Sequence, residues 1–402
     1  MSSRAVNAAF SLVYLALATR TLGLEGFGQF GLIVLLGQAL CGLASFSTWQ
    51  GIVRWSSEPG GAAMALGFAV ALDAASIAAG AVLAALACWS LPLWLPLPAD
   101  LRLTAFALCL AMLLASRSTP VGVLRVHDRF DLAAAAEAIL PATRAVGAGV
   151  AVLFWPTPGG FVAVWALAEL ACAAVHWRLA LRLEPIDPAL VSLRLLPARH
   201  KDAWRFSWGT NLSRSLAVSG RHGVQLLVGA LGGAALAGGF RVAAQIGLAL
   251  VQLAEAVSRA LYPELVRVRD AAGRLAWQMA GTALAIGTVA ASMSALAGER
   301  LLALLAGPDF GFAAPAMALM AAGGAMELAA ASFEALLVAR GNPGLALGLR
   351  IAPLALALAA LPLGIAWHGL AGAAACLASA SLITVLLMAW AARQPIRADL
   401  AR

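Results

Sequence analysis

Apolar residues occupy this chain in long blocks separated by short polar interruptions. A helix crossing about 30 Å of hydrocarbon needs roughly 20 apolar residues. Twelve blocks meet that length, centred near Val13, Gly37, Ala75, Leu110, Gly147, Ala168, Ala217, Gly247, Ala285, Gly324, Leu356 and Ser379. Each predicts a transmembrane helix. No interval between them has room for a soluble domain. The longest polar connection, from about Pro185 to Arg205, lies at the midpoint and carries Asp187, Arg194, Arg199, His200, Lys201, Asp202 and Arg205.

Composition supports this pattern. Of 402 residues, 62% are hydrophobic and 11% charged, against about 25% charged in soluble domains. A soluble fold of this length must still present a solvated surface, whereas a bilayer removes that demand. The abundant Gly and Ala suit close packing of membrane helices. The net charge of +8 does not indicate nucleic acid, because the basic residues are scattered between apolar runs rather than gathered on a polar face.

Charge sets an expected orientation. With the N-terminus in the cytoplasm, the N-terminus, alternate loops and the C-terminal tail hold 19 of the 27 basic residues. The opposite loops hold Arg20, Arg102 and Arg300, and the remaining five lie within spans. This is the asymmetry of the positive-inside rule, and an even number of spans puts both termini inside. No cleavable signal pattern precedes the first span.

A weak repeat relates the two halves. Leu22-Gly23, Gly26-Phe27-Gly28-Gln29-Phe30 and a helix ending at Val53-Arg54 have counterparts in Leu231-Gly232, Gly238-Gly239-Phe240-Arg241 and a helix ending at Leu265-Val266-Arg267. The expected architecture is an all-α polytopic membrane protein of about twelve transmembrane helices. Two six-helix lobes, 1–184 and 205–402, flank a central cavity and are joined by a cytoplasmic linker, 185–204. Transport sites commonly lie between such halves.

Charges within apolar spans are the main candidates for chemistry, since each costs about 2.5–3.5 kcal/mol at a helix centre on insertion scales. Arg214 and Arg221 are seven apart and so share one helix face. Two guanidinium groups on one wall suit bidentate binding of a phosphate or pyrophosphate, although an internal ion pair or snorkelling to the surface is the plainer use. Arg241 begins a polar stripe with Gln245, Gln252 and Glu255, and Glu255 and Arg259 are spaced to pair locally. Glu137 and Arg144, also seven apart, either pair or line a cavity. Asp73, Glu169, Glu327 and Glu334 relay protons, bind a cation or join helices by hydrogen bonds. Arg20 and Arg54 sit near span ends. His127 and Asp128, beside Arg125 and Arg129, read as a loop facing lipid headgroups.

Enzyme signatures are missing. No G-x-x-x-x-G-K-[ST], G-x-S-x-G or H-E-x-x-H occurs. The five His and five Cys show no metal-binding spacing, and Cys41, Cys88, Cys109, Cys172 and Cys376 read as buried, unreactive thiols. No metal or cofactor is expected.

Several stretches together resemble Wzx-type polysaccharide flippases of the multidrug/oligosaccharidyl-lipid/polysaccharide exporter superfamily. They are Ala18-Thr19-Arg20-Thr21-Leu22-Gly23 with Gly26-Phe27-Gly28-Gln29-Phe30, Val123-Leu124-Arg125 with Asp128-Arg129-Phe130, the turn from Gly229 to Phe240, Leu261-Tyr262-Pro263, and Leu305-Ala306-Gly307-Pro308-Asp309-Phe310. The resemblance implies a V-shaped pair of lobes around a cationic cavity. It implies translocation of a polyprenyl-pyrophosphate-linked oligosaccharide from the cytoplasmic to the outer leaflet of a bacterial inner membrane, for O-antigen, capsule or exopolysaccharide synthesis. Lipid II flippases of that superfamily use an arginine near the first turn, where Arg20 stands. The expected pyrophosphate-binding set is Arg20, Arg214, Arg221, Arg241, Arg144 and Arg54, with Asp73 or Glu255 coupling transport to a proton or cation. Expected partners are the lipid-linked glycan, membrane lipids, and a polysaccharide polymerase or glycosyltransferases of the same pathway. A drug or cation antiporter of the same superfamily would require a more acidic cavity, and a membrane glycan polymerase or ligase a larger outer loop.

Overall fold

The computed structural model describes residues 2–58, 60–266, 272–339 and 343–394. The side chains of Arg214, Arg221, Glu255 and Arg259 lie outside that description. The described chain is helical, without strands. Its elements are α1 (Ser2–Ala44), α2 (Thr48–Trp55), α3 (Gly61–Trp89), α4 (Leu91–Trp94), α5 (Leu101–Leu114), α6 (Ser118–Val126), α7 (Phe130–Phe154), α8 (Pro158–Leu183), α9 (Leu195–Arg199), α10 (Ala203–Val266), α11 (Ala272–Leu305), α12 (Ala314–Ala339) and α13 (Pro343–Arg393), with short 3-10 turns at Pro188–Leu190 and Pro308–Ala313.

Three of these helices are pairs broken at a glycine. Gly23 (φ 67°, ψ −173°) interrupts α1, Gly233 (φ 86°, ψ 173°) interrupts α10, and His368-Gly369 (φ 53° at the glycine) interrupts α13. Among the described residues, nine helical stretches are long and apolar enough to cross a membrane, and three of them contain these breaks. Counting each broken stretch twice gives twelve crossings; ten of the centres expected from hydropathy fall inside these stretches, and the other two, Ala217 and Gly247, fall on α10 on either side of the Gly233 break.

The two glycine breaks at 23 and 233 support the repeat. Their backbones adopt almost the same conformation, a region essentially restricted to glycine. One constant offset carries Gly23, Gly28 and Phe30 onto Gly233, Gly238 and Phe240, and both phenylalanines are fully buried. The structural break falls at Gly233, one residue after the Leu231-Gly232 pair that marked it in the sequence.

The chain forms two compact units, Met1–Ala234 and Ala235–Arg402. In the first, the 24–44 part of α1 is a central post, with Phe30, Leu32, Ile33 and Val34 wholly buried. Tyr14, Phe30, Phe161 and Trp165 meet edge to face around it, an arrangement that suits the quadrupoles of the rings.

The polar connection expected at 185–204 is pinned to this unit. Leu196 is fully buried among Phe46, Phe68 and Leu72, and the backbone of Leu190 comes so close to Gly67 that no Cβ could fit there. The beginning of α10 packs alongside. Trp204 meets Phe68, Phe206 meets Trp55 and Trp208 meets Phe46, all edge to face, and Ser215 donates to the Gly42 carbonyl at 2.9 Å. Compactness therefore divides the chain at the Gly233 break, whereas the repeat read from sequence divides it at 185–204. The aromatic anchors at 204–208 account for the difference, because they bury the start of α10 in the first unit.

The second unit packs α11, α12 and α13 through small side chains. Its core includes Ala276, Ala280, Ala329, Ala330, Phe333 and Met388. Small residues let helix backbones approach closely where lipid provides no hydrophobic drive for association.

Candidate functional site

Two crossings of the first unit are interrupted without glycine or proline. The chain breaks between α1 and α2 at 45–47 and between α5 and α6 at 115–117. Hydroxyl side chains gather at these breaks and reach Asp73 of α3, which is 5% exposed. Thr119 donates to Asp73 Oδ2 at 2.6 Å, the Thr48 and Thr119 hydroxyls are 2.8 Å apart, and Ser118 accepts from the Trp49 amide at 3.2 Å. The sequence singled out Asp73 as a candidate for ion coupling. The structure places it at the end of a hydroxyl chain linking two broken helices, next to a small cavity bordered by Ser47, Thr48 and Leu72.

A second group of charges lies between α6, α7 and α8. Arg144 donates to Glu169 at 2.6 Å, and their side chains are only 17% and 9% exposed. The Arg144 guanidinium also sits 3.4 Å from the centroid of the Trp165 ring, a cation–π contact strengthened by exclusion of water. Arg117 approaches the other oxygen of Glu169 at 3.1 Å. Spacing in the sequence left open a pair between Glu137 and Arg144. Seven residues separate them by roughly 10 Å along the helix axis, and each finds its partners on other elements. Glu137 faces Arg117 at 4.0 Å and His176 at 3.8 Å.

The second unit has a comparable group. Glu327 and Glu334, two turns apart on α12, both hold Arg350 of α13, each at 2.5 Å, and Ser381 donates to Glu327 at 3.0 Å. Of the uses considered for these acids, the geometry realises helix-to-helix bonding. In the first unit, then, charged side chains join α6, α7 and α8, and in the second a charged cluster with Ser381 joins α12 to both parts of α13.

The remaining arginines differ in setting. Arg54 binds Asp202 at 2.6 Å with both side chains about half exposed, and lies over the Phe206 ring at 4.5 Å. Arg20 is exposed, close to the Gly23 break, and Arg241 is half-buried in the second unit. Arg54 and Arg144 are thus engaged by acids of the same unit.

Sequence reading found no metal spacing among Cys and His, yet Cys172 and His176 are four apart on α8 and share a face. Their sulfur and imidazole are 3.7 Å apart, and Glu137 of α7 completes the group, with one ligand atom from each residue within 4.8 Å of the others. The i, i+4 spacing was the available signal; the third member comes from another helix and could be found only in three dimensions.

No protein-family model matches the chain. The inner membrane protein YghQ of Escherichia coli strain K12 is 29% identical over 289 residues, 66% of this chain and 78% of that protein. Among solved structures, the lipid II flippase MurJ in an inward closed conformation is similar with a TM-score of 0.68 and 12% identity, covering 98% of this chain and 88% of that one. A mutant of the Vibrio cholerae MATE transporter VcmN is similar with a TM-score of 0.54 and 16% identity, covering 98% and 91%. At such identities the likeness is one of fold: the chain is a multi-pass helical membrane protein with the twelve-helix, two-lobe fold of these proteins.

Proposed function

We propose that the protein is a flippase of the bacterial inner membrane. It moves a polyprenyl-pyrophosphate-linked oligosaccharide from the cytoplasmic to the outer leaflet for surface polysaccharide synthesis. The carrying observation is a fold shared with a lipid II flippase over 98% of the chain, combined with five arginines placed by sequence within apolar spans. Motif resemblance to Wzx-type flippases of the multidrug/oligosaccharidyl-lipid/polysaccharide exporter superfamily supports the same substrate class.

In this reading Arg20, Arg214, Arg221 and Arg241 bind the pyrophosphate. Guanidinium groups suit it because their paired donors match its oxygens and they remain charged at any physiological pH. Arg54 and Arg144 contribute to the same electropositive field while held by Asp202 and Glu169. The glycan headgroup crosses through water and the polyprenol stays in lipid. Both termini are cytoplasmic, and the two halves alternate access around the substrate. Asp73 or Glu255 couples the cycle to a proton or cation. Glycosyltransferases and a polymerase of the same pathway supply and consume the lipid-linked glycan.

A second reading, drug or cation antiport, draws on the fold shared with VcmN and the buried carboxylate of Asp73. Ligand binding separates the two. Purified protein is offered polyprenyl pyrophosphate, polyprenyl phosphate, polyprenol and a lipophilic drug cation. The flippase reading requires preference for the pyrophosphate and weaker retention in Arg214→Ala and Arg221→Ala. Preference for the drug cation, abolished by Asp73→Asn, would replace it with the antiporter reading.

A further inference from the structure

Glu137, Cys172 and His176 carry an inference that the transport reading does not use. Cys172 and His176 project from one face of α8, and Glu137 meets them from α7. The Cys172 sulfur lies 4.0 Å from Glu137 Oε2, and His176 Nε2 lies 3.8 Å from the same oxygen. The thiol and imidazole are buried, while the Glu137 side chain is 54% exposed.

The imidazole is oriented as a metal ligand would be. His176 Nδ1 is 2.9 Å from the Cys172 carbonyl oxygen. A carbonyl only accepts, so the ring proton sits on Nδ1 and the Nε2 lone pair is left for Glu137 Oε2 at 3.8 Å. A ligating histidine characteristically gives its other N–H to such a backbone carbonyl. Glu137 is also oriented: Arg117 approaches Oε1 at 4.0 Å, leaving Oε2 for the cysteine and histidine.

We propose that these three side chains bind a thiophilic divalent cation of the zinc class. Thiolate, imidazole and carboxylate are the ligands zinc selects, and three protein ligands leave a fourth position for water on the exposed side of Glu137. Tetrahedral zinc requires ligand atoms about 3.3–3.8 Å apart. The two separations from Glu137 Oε2, 4.0 and 3.8 Å, come close to that, one ligand atom from each residue lies within 4.8 Å of the others, and the exposed Glu137 side chain can move inward to close the site. Binding releases the thiol proton, so the ion adds one net positive charge to the cluster. Glu169, already shared by Arg117 and Arg144, and the Glu137 carboxylate keep that charge from standing alone. The ion ties α7 to α8 roughly 10 Å from the helix ends at 130 and 183.

Cobalt(II) is the probe. The purified full-length protein is stripped with chelator and titrated with Co2+. The expected result is one equivalent bound, with a thiolate-to-cobalt charge-transfer band that zinc abolishes by displacement. Cys172→Ser removes the band, Cys41→Ser leaves it, and Glu137→Gln lowers cobalt affinity at least about tenfold. Glu137 is exposed, so that variant tests the site if Cys172→Ser does not fold. Absence of a charge-transfer band in the wild type, or a band and affinity unchanged in Glu137→Gln, would overturn the proposal and leave a hydrogen-bonded polar cluster.

Discussion

Arg144 and Glu169 form a hydrogen-bonded ion pair at 2.6 Å between α7 and α8, buried from solvent on both sides. Removing Glu169 strands the Arg144 guanidinium inside an apolar bundle, which typically costs about 3–5 kcal/mol, whereas removing Arg144 leaves Glu169 with Arg117 at 3.1 Å. Glu169→Leu should therefore lower the thermal unfolding midpoint in detergent sharply, and more than Arg144→Met does. Adding Arg144→Met to Glu169→Leu should recover part of that loss, because the stranded guanidinium is removed while Arg117 keeps Glu137 at 4.0 Å. A double variant whose loss equals the sum of the two singles would show that the residues do not act as a pair.

The glycine breaks offer a paired test of the repeat. Gly23→Ala and Gly233→Ala each force a Cβ into a backbone region that costs of order 1–3 kcal/mol for other residues. Both should destabilise the protein by similar amounts. Gly209→Ala, on an unobstructed helical position, should be neutral or mildly stabilising. Unfolding midpoints of the three variants check this ordering.

The connection between α8 and α10 should be protected from protease as long as Gly67 lets Leu190 approach. Gly67→Val places a side chain against the Leu190 backbone and should release the connection. Trypsin should then cut after Arg194, Arg199 or Lys201 faster than in the wild type, with cleavage elsewhere unchanged.

In the second unit, the cluster of Arg350 with two acids predicts unequal tolerance. Glu334→Gln leaves Arg350 with Glu327, whereas Arg350→Gln leaves two carboxylates facing each other across one helical face. The arginine variant should unfold at the lower temperature. Its defect should be reduced by adding Glu334→Gln, measured in the same unfolding assay.

Much of the fold is legible in the sequence because crossing a bilayer imposes length and apolarity on each helix separately. The Gly-rich turns near 23 and 233 could be read for a similar reason: their conformation excludes other residues. Partners across helices are different. Arg144 lies two turns from Glu137 in sequence and bonds Glu169, a choice fixed by how α7 leans on α8. The breaks at 45–47 and 115–117 carry serines rather than glycine or proline, so local propensity gives little warning of them. Cys172 and His176 show only an i, i+4 spacing, and their shared helix face acquires meaning only when Glu137 joins it.

Translocation itself is the direct test of the proposed function. Vesicles containing only this protein are loaded in both leaflets with a fluorescent polyprenyl-pyrophosphate oligosaccharide and exposed to an impermeant quencher of the sugar label. Flipping should raise the quenched fraction from about half toward completion, and Arg214→Ala with Arg221→Ala should slow it while leaving the protein folded. A quenched fraction that stays near half in the wild type, in the presence of a proton or sodium gradient of either sign, would contradict the flippase reading.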